Sequence, residues 1–146
     1  MADHTDRTTV LALAIKNKLL ATELFQDVLY GRHEQIPRSP TAVVTPAPKR
    51  RDLAGVSAPG GRTMNFMTIF IDIHSMKVGD EETERLALDQ LAESAEAALH
   101  ADVTMGGIII HGFVHEWNPG ETHNQGGEFR TVRLTYIGET KTYLSS

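Results

Sequence analysis

The stretch IIIHGFVHEW, residues Ile108 to Trp117, sets His111 and His115 four apart and follows them with Glu116. The chain of 146 residues has seven histidines and no cysteine. These residue types offer metal ligation or proton transfer. A histidine pair at i, i+4 shares one ion only on a helix, where both side chains lie on one face. Three consecutive isoleucines, then Gly112, Phe113 and Val114, favour strand instead. On a strand rising roughly 3.3 Å per residue the two imidazoles share a face but stand about 13 Å apart, too far for joint ligation. A site could still assemble across strands from His74, His111 or His115 with Asp72 or Glu116, although zinc needs three or four convergent ligands. The plainer reading is polar side chains on the wetter face of a sheet.

Other chemistry is no better supported. GVSAPGGR has neither the G-x-S-x-G nucleophile elbow nor the phosphate loop, and DVTMGG is no dinucleotide fingerprint. These glycines suit turns. The expectation is therefore no catalytic residue, no metal and no cofactor. One basic cluster, Lys49, Arg50 and Arg51 with Arg62 beyond it, can contact phosphates or an acidic neighbour with salt-sensitive affinity, or simply be solvated; no element for sequence-specific readout accompanies it. Trp117, the single tryptophan, can cap the core or anchor a subunit contact.

The elements that must position these residues follow from periodicity and capping. Thr5 or Asp6 can cap a helix running to about Leu24, with Leu11, Ile15 and Leu19 as its stripe and Leu13, Leu20 and Leu24 widening it into a face that must be buried. DVLYGR reads as a short strand. Residues 31–63, with five prolines and four glycines, exclude a core helix, and only TAVVT at 41–45 resembles a strand. The expectation is a projecting arm or hairpin used for contact. MNFMTIFIDIH alternates, placing Met67, Ile69, Ile71 and Ile73 on a dry face. Asp80 caps a helix through about His100, with Glu81, Glu82 and Glu84 in its first turns and Leu88, Leu91, Ala95 and Leu99 inward. In the opening stretch the alternation assigns Ile108, Ile110, Gly112 and Val114 to the core, and Ile109, His111, Phe113, His115 and Trp117 to the other face. A glycine-rich turn leads to FRTVRLTYIG, with Val132, Leu134 and Tyr136 on one side.

The order helix, strand, arm, strand, helix, strand, strand predicts an α+β fold: a mostly antiparallel sheet packed by two helices. The length fits one domain over residues 1–146. The formal charge of −5 gives no general attraction to nucleic acid, but it is unevenly spread: Asp72 to Asp102 is strongly acidic and Arg32 to Arg62 net basic. No secretory signal or membrane-length apolar run is evident, which predicts a soluble protein. The absence of cysteine leaves the redox compartment open.

Several stretches carry a family resemblance: YGRHEQIPRSPTAVVTPAPKRRDLAG, MNFMTIFIDIHSMKVGD, LHADVTMGGIIIHGFVHEWNPG and FRTVRLTYIGETKTYL. Over about residues 24 to 144 they resemble the tail terminator (tail-to-head joining) proteins of long-tailed, siphovirus-type phages, particularly those of actinobacterial hosts. The resemblance implies a virion protein without enzymatic activity, present in the host cytoplasm during assembly. It would form a homohexameric ring on the head-proximal end of the tail tube, end tube polymerisation, and join the tail to the head-completion or stopper protein of the neck. Genomic DNA would pass through its lumen without sequence-specific binding.

A cyclic ring needs a heterologous interface. The candidate interface or channel residues are Lys49, Arg50, Arg51 and Arg62 of the arm, and His111, Phe113, His115 and Trp117 of the late strand. The arm's charge suits either a neighbour's acidic surface or the DNA channel. Three alternatives stand beside this reading: a head-side neck adaptor or stopper, a metal-dependent enzyme using the histidine-rich strands, and, less favoured by net charge, a nucleic-acid-binding domain.

Overall fold

The computed structural model describes residues 7–31, 38–47, 50–52, 62–124 and 127–143. In chain order these form α1 (Arg7–Thr22), β1 (Asp27–Tyr30), β2 (Thr41–Pro46), β3 (Arg50–Asp52), β4 (Arg62–Met76), α2 (Glu81–His100), β5 (His111–Asn124) and β6 (Gly127–Tyr143). The fold is α+β, two helices on one face of a sheet ordered β1-β2-β4-β6-β5, with β3 also paired to β4. Only β1 and β2 run parallel; every other pair is antiparallel. The expected caps of α1, Thr5 and Asp6, lie outside the described residues.

Alternation in β4 and β6 builds the core. Met67, Ile69, Ile71 and Ile73 of β4 face the helices beside Val132, Leu134 and Tyr136 of β6, all essentially inaccessible to solvent. Leu11, Ile15 and Leu19 of α1 and Leu88, Ala92, Ala95 and Leu99 of α2 complete this cluster. Burying each such aliphatic side chain contributes about 1.5–3 kcal/mol, so this dry layer dominates stability. α2 begins as its sequence predicts: Asp80 accepts from the Thr83 amide at 2.9 Å, satisfying a first-turn donor. Arg130, with its side chain nearly buried, ties that helix start to β6, donating to Glu84 at 3.0 Å and Glu81 at 3.4 Å. This donation holds the Glu84 carboxyl below its usual range.

The segment expected to project as an arm divides in two. Thr41–Pro46 does not project: it is a sheet strand, with Ala42, Val43 and Val44 buried and Thr41 to Pro46 paired with His74 to Ile69 of β4. Its β-branched run fills the space between β1 and β4, which its proline-rich flanks obscured. Farther along, β3 pairs with Met64 to Phe66 in the same orientation as β2, so β2 and β3 form one interrupted strand along β4. Residues 32–37, 48–49 and 53–61 lie outside the described residues.

A candidate interface on the open sheet face

β5 starts at His111 rather than Ile108, and this changes which isoleucine is buried. Met105, Gly106 and Gly107 all have positive φ, so the chain leaves α2 through a tight left-handed turn. Emerging from it, Ile109 is buried while Ile110 is exposed, the reverse of the expected assignment. The receiving space is made by Gly112 and Gly138, which face each other across β5 and β6. A Cβ on Gly112 would lie 2.2 Å from the Tyr136 hydroxyl and 2.7 Å from Ile109 Cδ1; on Gly138 it would lie 2.9 Å from Leu11. The glycines in these strands thus admit core side chains.

A bulge at His115 then resets the strand. Val114 pairs with Tyr136, but Glu116 pairs with Thr135 and Trp117 with Leu134, so one residue is extra and the faces exchange. Trp117 therefore does not share a face with His111 and Phe113. It turns to the helix side, packs against the core, and donates from Nε1 to Glu96 of α2 at 3.1 Å. With Arg85, Asp89 and Pro119 it lines a cavity of about 560 Å³ between α2 and β5.

Among the described residues the opposite face carries no helix, yet part of it is buried, with Val43 and Phe129 forming a second small cluster there against Leu29 and Met76. Its cross-strand rows follow from the register: Phe113 of β5 beside Ile137 of β6 and Thr68 of β4; Thr135 beside Phe70; Arg133 beside Asp72; Thr131 beside His74. Phe113 is 41% exposed. Its ring stands between two imidazoles, 6.3 Å from His111, which stacks on it, and 5.7 Å from His115. This arrangement separates the histidines. His111 Nε2 lies 3.7 Å from Glu139, its register partner. Among the described residues no group of three or more His, Asp or Glu could hold a metal ion.

Beside this strip, Arg133 donates to both oxygens of Asp72, at 2.7 and 3.0 Å, while its guanidinium covers the Phe70 ring at 4.3 Å. The pair is bidentate and stacked, so it fixes orientation as well as charge. His74 is buried behind it, its Nδ1 3.0 Å from Thr131 Oγ1 and its ring edge-on to Phe129. Burial pushes the His74 pKa down, opposed by Asp72 and aided by Arg133. Phe70, Arg133 and Ile137 were not among the candidates from sequence, and Asp72 entered only as a possible member of a cross-strand histidine site. Alternation signalled the face of Phe70 and Asp72, but only the register brought β6 beside them.

Of the basic candidates, Arg50 and Arg51 sit on β3 opposite Phe66 and Asn65, and Arg62 opposite Tyr143, at the end of β4 remote from α2's start. Lys49 lies outside the described residues. The acidic first turn of α2 and Arg62 are thus at opposite ends of a strand of 15 residues, about 50 Å at the usual rise, while the end of α2 returns along the sheet to meet β5. Among the described residues no helix is long and apolar enough to cross a membrane. No protein-family model and no curated protein sequence matches the chain.

Proposed function

We propose that this chain is a ring-forming structural subunit of a phage tail, of the tail-terminator kind. It would cap the head-proximal end of the tail tube as a homohexamer and present its other surface to a head-completion or stopper protein, with DNA passing through the lumen. Its place would be the virion, reached from the host cytoplasm, and neither a cofactor nor a catalytic residue enters the reading.

The observation that carries it is the Phe113 end of the helix-free sheet face, where Phe113 stands exposed between His111 and His115 and continues into Ile137, Phe70 and Arg133. Aromatic and arginine side chains grouped on an exposed part of a sheet face suit the centre of a protein interface. The sequence stretches that resemble tail terminators include this strand and its partner β6. The reading assigns Arg50 and Arg51 of β3 and Arg62 at the start of β4 to the lumen or to a neighbouring subunit. A head-side adaptor would use the same ring with a different partner.

Electron microscopy of the protein mixed with tail tubes tests the reading. Six-fold density on one tube end is expected, lost in Phe113→Asp with the thermal melt unchanged; no end binding by the wild-type protein defeats it.

A further inference from the structure

The two lateral flanks of the helix layer differ in a way that the intrachain packing does not use. α1 lies over β1 and β2, α2 over β5 and β6, and the helices touch each other between them. Each helix therefore has one flank facing its neighbour and one facing outward, α1 beyond the β1 edge and α2 beyond the β5 edge.

The side of α1 that faces α2 is marked by Lys18, which reaches Asp102, just past the end of α2, at 3.1 Å. Leu13, Lys16 and Leu20 recur at i, i+3, i+7 on its other side. Leu13 is 42% and Leu20 48% exposed, so two large apolar side chains expected in the buried face stand on the surface instead. The charged residues of α1 are Arg7, Lys16 and Lys18, with no carboxylate.

On α2 the outward flank is marked by Glu96, bonded to Trp117, and Asp89, which lines the groove beside β5. Glu82, Leu86, Asp89 and Glu93 recur along it at i, i+4, i+7, i+11. Leu86 is 57% exposed. Six carboxylates against one arginine make this helix strongly acidic where α1 is basic.

Resting on the ring-forming reading above, we propose that the outward flank of α1, centred on Leu13, Lys16 and Leu20, packs against the outward flank of α2, centred on Leu86 and Glu93, of a second copy. The contact repeats between copies the α1–α2 packing already present within each. Because the two surfaces differ, it is heterologous, and with a rotation between copies it closes into a ring. Apolar side chains supply the area, and the opposed helix charges select flank against flank rather than like against like. Sheet pairing through β5 is not needed. Two of its outward amides are already taken, Gly112 donating to Val103 O and Val114 to His100 Nε2, and a bulge and Pro119 interrupt the rest.

The test uses the full chain. Sedimentation velocity up to millimolar concentration should show concentration-dependent association, weakened roughly tenfold or more both in Leu13→Glu/Leu20→Glu and in Leu86→Lys/Glu93→Lys, with melting curves retained. An equimolar mixture of the two variants should associate again, since each keeps the flank the other lacks. A wild-type chain that stays monomeric, or a flank variant that associates normally, overturns the proposal. Cross-linking gives a second measurement, because the chain has no cysteine of its own. Oxidising Leu20→Cys with Leu86→Cys should give mainly the mixed dimer; homodimers, or a yield no higher than with the exposed control Val78→Cys, overturn it. Flank variants that still cap tail tubes with six-fold density would remove this inference and leave the tail-terminator reading standing. Flank-dependent association without tube-end binding would do the reverse.

Discussion

The two faces of the sheet are built by the same strands, yet one is core throughout, while the other buries only a small cluster around Val43 and Phe129 and elsewhere is a surface with specific chemistry. On the helix side, Ile69, Ile71, Ile73, Leu134 and Tyr136 are wholly buried, and their worth lies in apolar area removed from water. On the open side, Phe70, Arg133, Asp72, Phe113 and His111 hold positions through a bidentate ion pair, stacking and partial burial. The difference teaches that alternation distributes residues between faces, while covering decides what each face is for.

Substitutions at paired positions should expose this contrast. Ile71→Ala on the covered face should destabilise by about 3–4 kcal/mol in chemical denaturation, because cavity and transfer costs add. Its neighbour Phe70→Ala on the open face should cost only about 1 kcal/mol. Equal losses would mean that the open face is covered in the monomer as well. Next in size, Gly112→Ala should cost about 2–3 kcal/mol, since its Cβ must displace the Tyr136 hydroxyl and Ile109; the same change at solvent-facing Gly120, where a Cβ meets nothing within 4 Å, should be close to neutral.

Smaller effects sharpen the open face. Arg133→Ala should cost about 1 kcal/mol, a half-exposed bidentate pair being partly screened by solvent. Acidification should act through His74. Its folded pKa lies below the free value of 6.5, so its contribution is present above that value and is lost as the pH falls below it, when the unfolded chain binds the proton first. The fall in melting temperature between neutral and mildly acid pH should shrink in His74→Gln.

A comparably small change is expected from Tyr136→Phe. The hydroxyl is buried without a hydrogen-bond partner among the described residues, so its removal should shift stability by no more than about 1 kcal/mol, toward stabilisation. Burial also pushes the Tyr136 pKa up to about 12 from 10.0. Wild-type stability should therefore decline as the pH rises from 10.0 towards 12, because the unfolded chain loses the proton first, and the variant should lack this decline.

The sequence made much of this frame legible. The Asp80 cap, the dry face of β4, the inward stripe of α2 and the α+β class follow from local periods of two and 3.6 residues. The candidate surface was legible only in part. His111, Phe113 and His115 were placed together correctly by alternation, but Trp117 was carried to the other face by one extra residue at His115, and nothing local announces a bulge. Ile109 went inward because two glycines 26 positions apart meet in register and leave room for it. TAVVT passed as part of an arm because its partner strand begins beyond an intervening proline- and glycine-rich stretch.

What the sequence by itself determined is local: where helices start, which residues alternate, and which segments carry charge of each sign. Those properties depend on neighbours within a few positions. Only the tertiary structure decided which alternating face would be covered, which strand would lie beside Phe70 and Asp72, and that acidic α2 and basic α1 would turn opposite flanks outward. Pairing register and layer order are set by contacts between residues far apart in the chain, and no local period encodes them.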